Sequence, residues 1–339
     1  MASKKVFMMQ QIITKYWFLI CLTFFTACGL FLGLRLPADE LDSLIKAIDK
    51  RLLVGLVLFL MSFTLDSQQL LKSVKFPLPV FWACLVNMVF IPLLGWLMMP
   101  LQLTVDFRYG LMIAASVPCT MAAASVWTRK AEGNDAISLM VTLLTNGFCF
   151  LITPFWLEWT TSRQLSVSTG ELMSRLVVTA LLPMVLGQLL RQPAKLKQLA
   201  VNRKIAIGVI AQWGVLVIVF VAGCTAGRQL NGSGTVPAFN AILLVWGSVV
   251  VIHLAAMGVG YAGSRLMQFS NADQRAILFA SSQKTLPIGL LIATSASMFG
   301  DPNLLGEGKG IPFALFPMLL YHASQLFIDT LIANKVSKK

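Results

Sequence analysis

The sequence predicts an all-α polytopic membrane protein of ten transmembrane helices in two inverted five-helix repeats. Three observations lead there. Of the 339 residues, 57% are hydrophobic and only 12% charged, with mean hydropathy +0.78; a soluble domain carries about 25% charged residues. Ten apolar stretches approach the roughly 20 residues that a span requires. Two of them, the fourth and the ninth, are interrupted at their centres by proline and polar residues, half a chain length apart.

The stretches fall at about 16–35, 51–66, 78–99, 108–128, 135–157, 172–190, 204–222, 238–262, 273–298 and 310–332. Pro37, Pro77, Pro100, Pro193 and Pro237 open or close several of them. The first follows Lys4 and Lys5 as a signal peptide would, but its apolar run continues past Cys28 to Leu34, so it is read as a retained span. The stretch Asp39–Lys50 is expected to be a short amphipathic surface helix. No gap holds a soluble domain, so residues 1–339 are expected to form a single membrane domain, with one repeat at about 16–157 and the other at about 172–332.

The net charge of +13 does not imply a nucleic-acid partner. Nearly all the cations sit at span ends, where they anchor topology in the lipid bilayer. With the N-terminus inside, the cytoplasmic face gains Lys72, Lys75, Arg129, Lys130, Arg191, Lys195, Lys197, Arg203, Lys204, Arg265 and Arg275, and the other face gains fewer. Both termini are therefore expected in the cytoplasm, the protein being multi-pass in the cell membrane (the inner membrane in a bacterium). The six cysteines lie in or beside apolar spans with no metal-ligand spacing and are read as packing residues.

The breaks carry the chemistry. In span four, Pro118 removes a backbone donor and clashes one turn back. A half-helix is expected to restart near Cys119–Thr120, its free N–H groups favouring an anion. The plain alternative is a kinked, packed helix. Span nine carries Ser281, Ser282, Gln283, Lys284 and Thr285 in succession. A paired break of this kind points to a transporter's binding site. Lys284 is open to three functional readings: a built-in cation where a sodium ion would sit, a proton carrier, or the counter-ion of an anionic substrate. A structural pin is the fourth reading. Ser138, Thr142 and Thr145 share a face of span five with Asn146 nearby, a pattern that coordinates sodium or packs helices. Asn87, Gln325 and His322 are further candidates, and His253 reads as a packed donor. Asp66, Glu158 and Asp329 are placed at span ends, leaving no acid near a span centre.

These residues resemble the bile acid:sodium symporter superfamily. The resemblance rests on the broken fourth and ninth spans, on Pro118 through Gly133-Asn134-Asp135-Ala136 to Ile152-Thr153-Pro154, and on Ser282-Gln283-Lys284-Thr285-Leu286 with Leu320-Tyr321-His322. The last two stretches look closer to its SBF-like branch. The resemblance implies a core of spans three to five and eight to ten, a panel of spans one, two, six and seven, and crossing broken helices near two sodium sites. Ser138 and Thr142 match the family's hydroxyl ligands, and Gln283 its crossover glutamine. Ser125 stands where asparagine is usual, Ala124 where serine is, and Asn87 where a glutamine ligand is. Ser282 supplies a further hydroxyl. The family's sodium-binding glutamate is Phe279 here, and Lys284 replaces an asparagine.

The expected function is secondary active transport of a small organic solute, an organic anion by preference, with sodium symport implied by the resemblance. The substrate would meet Lys284, Thr285, Pro118, Thr120, Asn146 and His322. Sodium, where retained, would meet Ser125, Ser138, Thr142, Gln283, Ser282 and Asn87. A sodium-independent carrier, proton-coupled or uncoupled, and a regulatory membrane protein with a degenerate site remain alternatives. An enzyme is not expected, nor any cofactor beyond sodium ions, since two isolated histidines and no core acid give no catalytic cluster.

Overall fold

The structure is a computed structural model that describes residues 2–37, 40, 41, 43, 45, 47–66, 77–121, 123–161, 169–233, 237–293 and 313–337, and its regular elements are all helical among these. They are α1 (Ala2–Arg35), α2 (Lys50–Thr64), α3 (Pro77–Leu101), α4 (Val105–Ser116), α5 (Ala123–Lys130), α6 (Asp135–Gly147) and α7 (Cys149–Thr161). The second half holds α8 (Thr169–Leu190), α9 (Ala194–Asn202), α10 (Lys204–Ser233), α11 (Phe239–Leu266), α12 (Asn271–Ala280), α13 (Leu286–Ala293) and α14 (Phe316–Val336).

Among the described residues, α3, α8, α10 and α11 are long and apolar enough to cross a membrane, and α6 with α7 does so as a pair bent by 61°. Their outward faces are apolar, with Leu78, Phe81, Phe239 and Leu266 exposed, as lipid contact requires. Predicted spans four and nine appear as the pairs α4/α5 and α12/α13. The end of span nine (294–298), the start of span ten (310–312) and the loop cations Lys72, Lys75, Arg163 and Lys309 lie outside the described residues. Of the expected surface helix, Glu40, Leu41, Ser43 and Ile45 are helical, while Asp39, Asp42, Leu44 and Lys46 lie outside them.

Local chemistry sets the boundaries. Asp49 caps α2 by accepting from the Arg51 and Leu52 N–H groups, and Thr104 and Ser270 cap α4 and α12. Acidic residues Asp106, Asp135 and Asp273 sit in first turns, where the helix dipole favours them. Helices α5 and α11 end on Glu132 and Gln268, both at φ 57°, the left-handed conformation that closes a helix. Within α3 a π turn spans Val86–Phe90. There Ile91 N–H reaches back to Val86 O, and Pro92, having no N–H, leaves Asn87 O open.

Two groups of helices result. Helices α1, α2, α8 and α10 pack on one another, and α3–α7 pack with α11–α14. The α1–α10 seam is a close backbone approach. A Cβ on Gly33 would lie 2.3 Å from Cys224 O, and one on Gly227 would lie 2.3 Å from Leu30 O. Helix α13 packs on both groups, meeting α2 and α10 as well as α4 and α14.

Candidate functional site

Helix α4 stops at Ser116, and the chain runs extended through Val117 and Pro118. Helix α5 begins only at Ala123, which corrects the expected restart near Cys119–Thr120. The reason is that other elements claim these peptide groups. Cys119 N–H donates to Thr145 Oγ1 (3.2 Å), and Thr285 N–H donates to Pro118 O (2.9 Å).

Successive carbonyls of this break each meet a protein donor. Ser116 O accepts from Thr153 Oγ1 (2.9 Å), Val117 O from Lys284 Nζ (2.8 Å), Cys119 O from Asn146 Nδ2 (2.7 Å) and Thr120 O from Thr142 Oγ1 (3.4 Å). The α12/α13 break is treated likewise. Asn87 Nδ2 reaches Ser281 O (3.1 Å) and Gln283 O (2.9 Å). Ser282 O accepts from Tyr321 OH (2.8 Å) and His253 Nδ1 (3.2 Å), and Gln325 Nε2 donates to Lys284 O (2.9 Å). Interrupted backbone survives at membrane depth only when so satisfied.

Lys284 is fully buried. Its ammonium lies 2.7 Å from Asn87 O, freed by Pro92, and 3.3 Å from Asn87 Oδ1. With Val117 O, these place a cation at the carbonyl end of α4, where the helix dipole favours one.

The hydroxyls expected to hold sodium are engaged otherwise. Ser125 Oγ donates to Asp135 Oδ1 and accepts from Arg129. Ser138 Oγ pairs with Thr128 Oγ1 (2.6 Å), and Ser282 Oγ turns back on its own helix at Leu278 O and Phe279 O. Asn87 offers its nitrogen, not its oxygen, to the span-nine carbonyls. Two acceptors stay open: Asn146 Oδ1 and Gln283 Oε1 are buried without a donor. Among the described residues, no His, Cys, Asp and Glu cluster could hold a metal ion.

One expectation is overturned. Asp329 does not lie at a span end clear of the centre but is fully buried in α14, which continues to Val336. Its Oδ2 accepts from Gln283 Nε2 (2.6 Å), and its Oδ1 lies 2.9 Å from His253 Nε2. Since a carbonyl can only accept, His253 Nδ1 carries a proton toward Ser282 O, and Nε2 and Asp329 share a second one. The histidine is the interhelical donor the sequence suggested. The sequence shows the acid but not its setting, because the position of a carboxylate along a helix does not reveal what faces it.

A cavity of about 190 Å³ lies between the two helix groups. Thr120, Ser125, Thr285 and His322 line it, together with Met61 and Gln212 from the panel side. Pro118, Asn146, Asn87, Ser138, Thr142, Ser282, Gln283 and Lys284 lie off its wall. Arg129 and Lys204, which the charge pattern marks as topology anchors, both line this cavity. Arg129 is paired with Asp135 (2.9 Å), and Lys204 has no ion pair among the described residues. The missed signal is that these two basic loops belong to opposite helix groups and face each other.

Broken helices whose carbonyls meet protein donors, beside a cavity, are the marks of an integral membrane transporter. The chain belongs to the SBF-like CPA transporter family, whose sequence profile matches residues 16–338. It is 27% identical over 237 residues to "Probable sodium/metabolite cotransporter BASS4, chloroplastic" of Arabidopsis thaliana, covering 66% of this chain and 51%, about half, of that protein. It is 23% identical over 322 residues to "Sodium/bile acid cotransporter 7" of Xenopus tropicalis, covering 94% of this chain and 82% of that one. The rat protein of the same name is 22% identical over 256 residues, covering 74% of this chain and 72% of its own length. The family and these relatives are transporters and not enzymes.

Proposed function

We propose that this chain is a secondary active transporter that moves a small organic anion by alternating access. In this reading its ten spans form two inverted five-helix repeats with both termini cytoplasmic. The α3–α7 and α11–α14 core would move against the α1, α2, α8 and α10 panel. One observation carries the anion preference: the cavity between core and panel is lined by Arg129, Lys204 and His322 and by no Asp or Glu among the described residues.

The reading is sodium-independent. Lys284 Nζ and Asn87 Nδ2 supply the positive groups that the break carbonyls need, and Phe279 supplies no anion to hold sodium. A second reading, sodium symport, is favoured by the open acceptors Asn146 Oδ1 and Gln283 Oε1 and by the names of the relatives. Sodium would then be cargo and not a resident cofactor.

The test is uptake by proteoliposomes of small carboxylates, sulfonates and organic phosphates, with sodium or choline outside at equal ionic strength. Anion uptake indifferent to the cation is the expected result. Uptake that needs sodium would favour the second reading, and no uptake of any anion would sink both in favour of a regulatory protein.

A further inference from the structure

The cavity contains a donor whose proton position follows from its neighbours, and the argument rests on the anion-carrier reading above. His322 is 7% exposed, lies on the cavity wall with Thr120 and Thr285, and packs edge-on against Phe18. Its Nδ1 sits 2.8 Å from Gln325 Nε2. The Gln325 amide has one acceptable orientation. Its Oε1 accepts the Lys284 N–H at 2.9 Å, and its Nε2 donates to the Lys284 carbonyl at 2.9 Å. Turned over, the amide would set N–H against N–H and oxygen against oxygen.

The atom facing Nδ1 is therefore a donor, and Nδ1 accepts. Among the described residues the Lys284 carbonyl takes the Gln325 amide, and the ring's hydrogen bond is the one at Nδ1. The ring is thus a neutral imidazole with its proton on Nε2, and Nε2 has no hydrogen-bond partner among the described residues. On a ring that is 7% exposed and lines the cavity, this unpartnered N–H is open to an acceptor from the cavity.

We infer that His322 Nε2–H is the specificity-determining donor of the cavity and receives an oxygen of a small organic oxyanion, with Gln325 as the residue that positions it. The cavity's cations, Arg129 and Lys204, take the charge of the same class of solute. A neutral N–H offers nothing to an ammonium, so amines are rejected.

The chain has two histidines, so isotope-labelled histidine gives two rings by nitrogen NMR on the full chain, and His322→Gln assigns them. The expected spectrum has His322 protonated at Nε2 and bare at Nδ1. Hexanoate, hexanesulfonate or hexyl phosphate moves the Nε2 signal, and hexylamine does not. In Gln325→Leu the ring becomes a mixture of both tautomers. A proton on Nδ1, or an Nε2 signal that none of the three anions moves, overturns the inference. Where proteoliposomes take up these anions with the signal still, only this inference falls. Where the signal moves without uptake, the donor site stands and the carrier reading falls.

Discussion

The N–H of Thr285 donates to the carbonyl of Pro118 across 2.9 Å, joining the two interrupted helices main chain to main chain. Each break removes a turn of helix, and each lends the other part of what it lost. Lys284, the next residue back, repeats the exchange with its side chain at Val117 O. The crossover is therefore one unit, and a change on either strand should be felt on both.

Lys284→Ala strands Val117 O and Asn87 O in a dry interior. Leaving a buried polar group unsatisfied costs about 1–3 kcal/mol. The variant is expected to melt several degrees lower in detergent and to lose uptake. Sodium should stabilise the variant, which has a vacated cation place, and leave the native chain unchanged. Native melting and transport in this variant would end the role assigned to Lys284.

Asp329→Ala leaves His253 Nε2 and Gln283 Nε2 without their acceptor. Removing one member of a buried pair costs about 3–5 kcal/mol. Asp329→Asn keeps an acceptor oxygen and should cost less. In a double-mutant cycle with His253→Ala, contacting residues give a coupling of about 0.5–3 kcal/mol; strictly additive losses would show that the two do not interact.

Gly33→Ala drives a methyl to within 2.3 Å of Cys224 O on α10. Overpacking of this kind costs about 1–3 kcal/mol. The control is Gly258→Ala on α11, where nothing lies within 4 Å. There alanine's higher helix propensity should leave stability unchanged or raise it by up to about 1 kcal/mol. Equal melting of the two variants would contradict the seam.

Lys204→Gln removes the cavity cation that has no ion pair among the described residues. Anion uptake should show a KM raised about tenfold, equivalent to about 1.4 kcal/mol, with kcat kept. The effect should shrink at high salt, where exposed charges are screened. Arg129→Gln also frees Asp135 and Ser125 and should lower the melting point, which Lys204→Gln should not. A fall in kcat alone in Lys204→Gln would argue against a binding role.

The breaks were legible in the sequence because Pro118 and the polar run around Lys284 violate the apolar pattern that lipid imposes. The same signal marked Asn146 and Thr142, which cap the carbonyls of the first break. What stayed hidden was direction. Asn87 was expected to offer oxygen to an ion; its oxygen meets the Lys284 ammonium, and its nitrogen meets the span-nine carbonyls. Asp329 looked peripheral because burial in α14 comes from helices far away in sequence. Arg129 and Lys204 were read as anchors, since a loop's charge does not tell which cavity it borders.

The three acceptors around the ammonium of Lys284 have a thermodynamic consequence. An ion that couples transport to a gradient must arrive from one compartment and depart into the other. A cation held by a covalent stem does neither, so its position can draw no work from a difference in sodium concentration between the two sides.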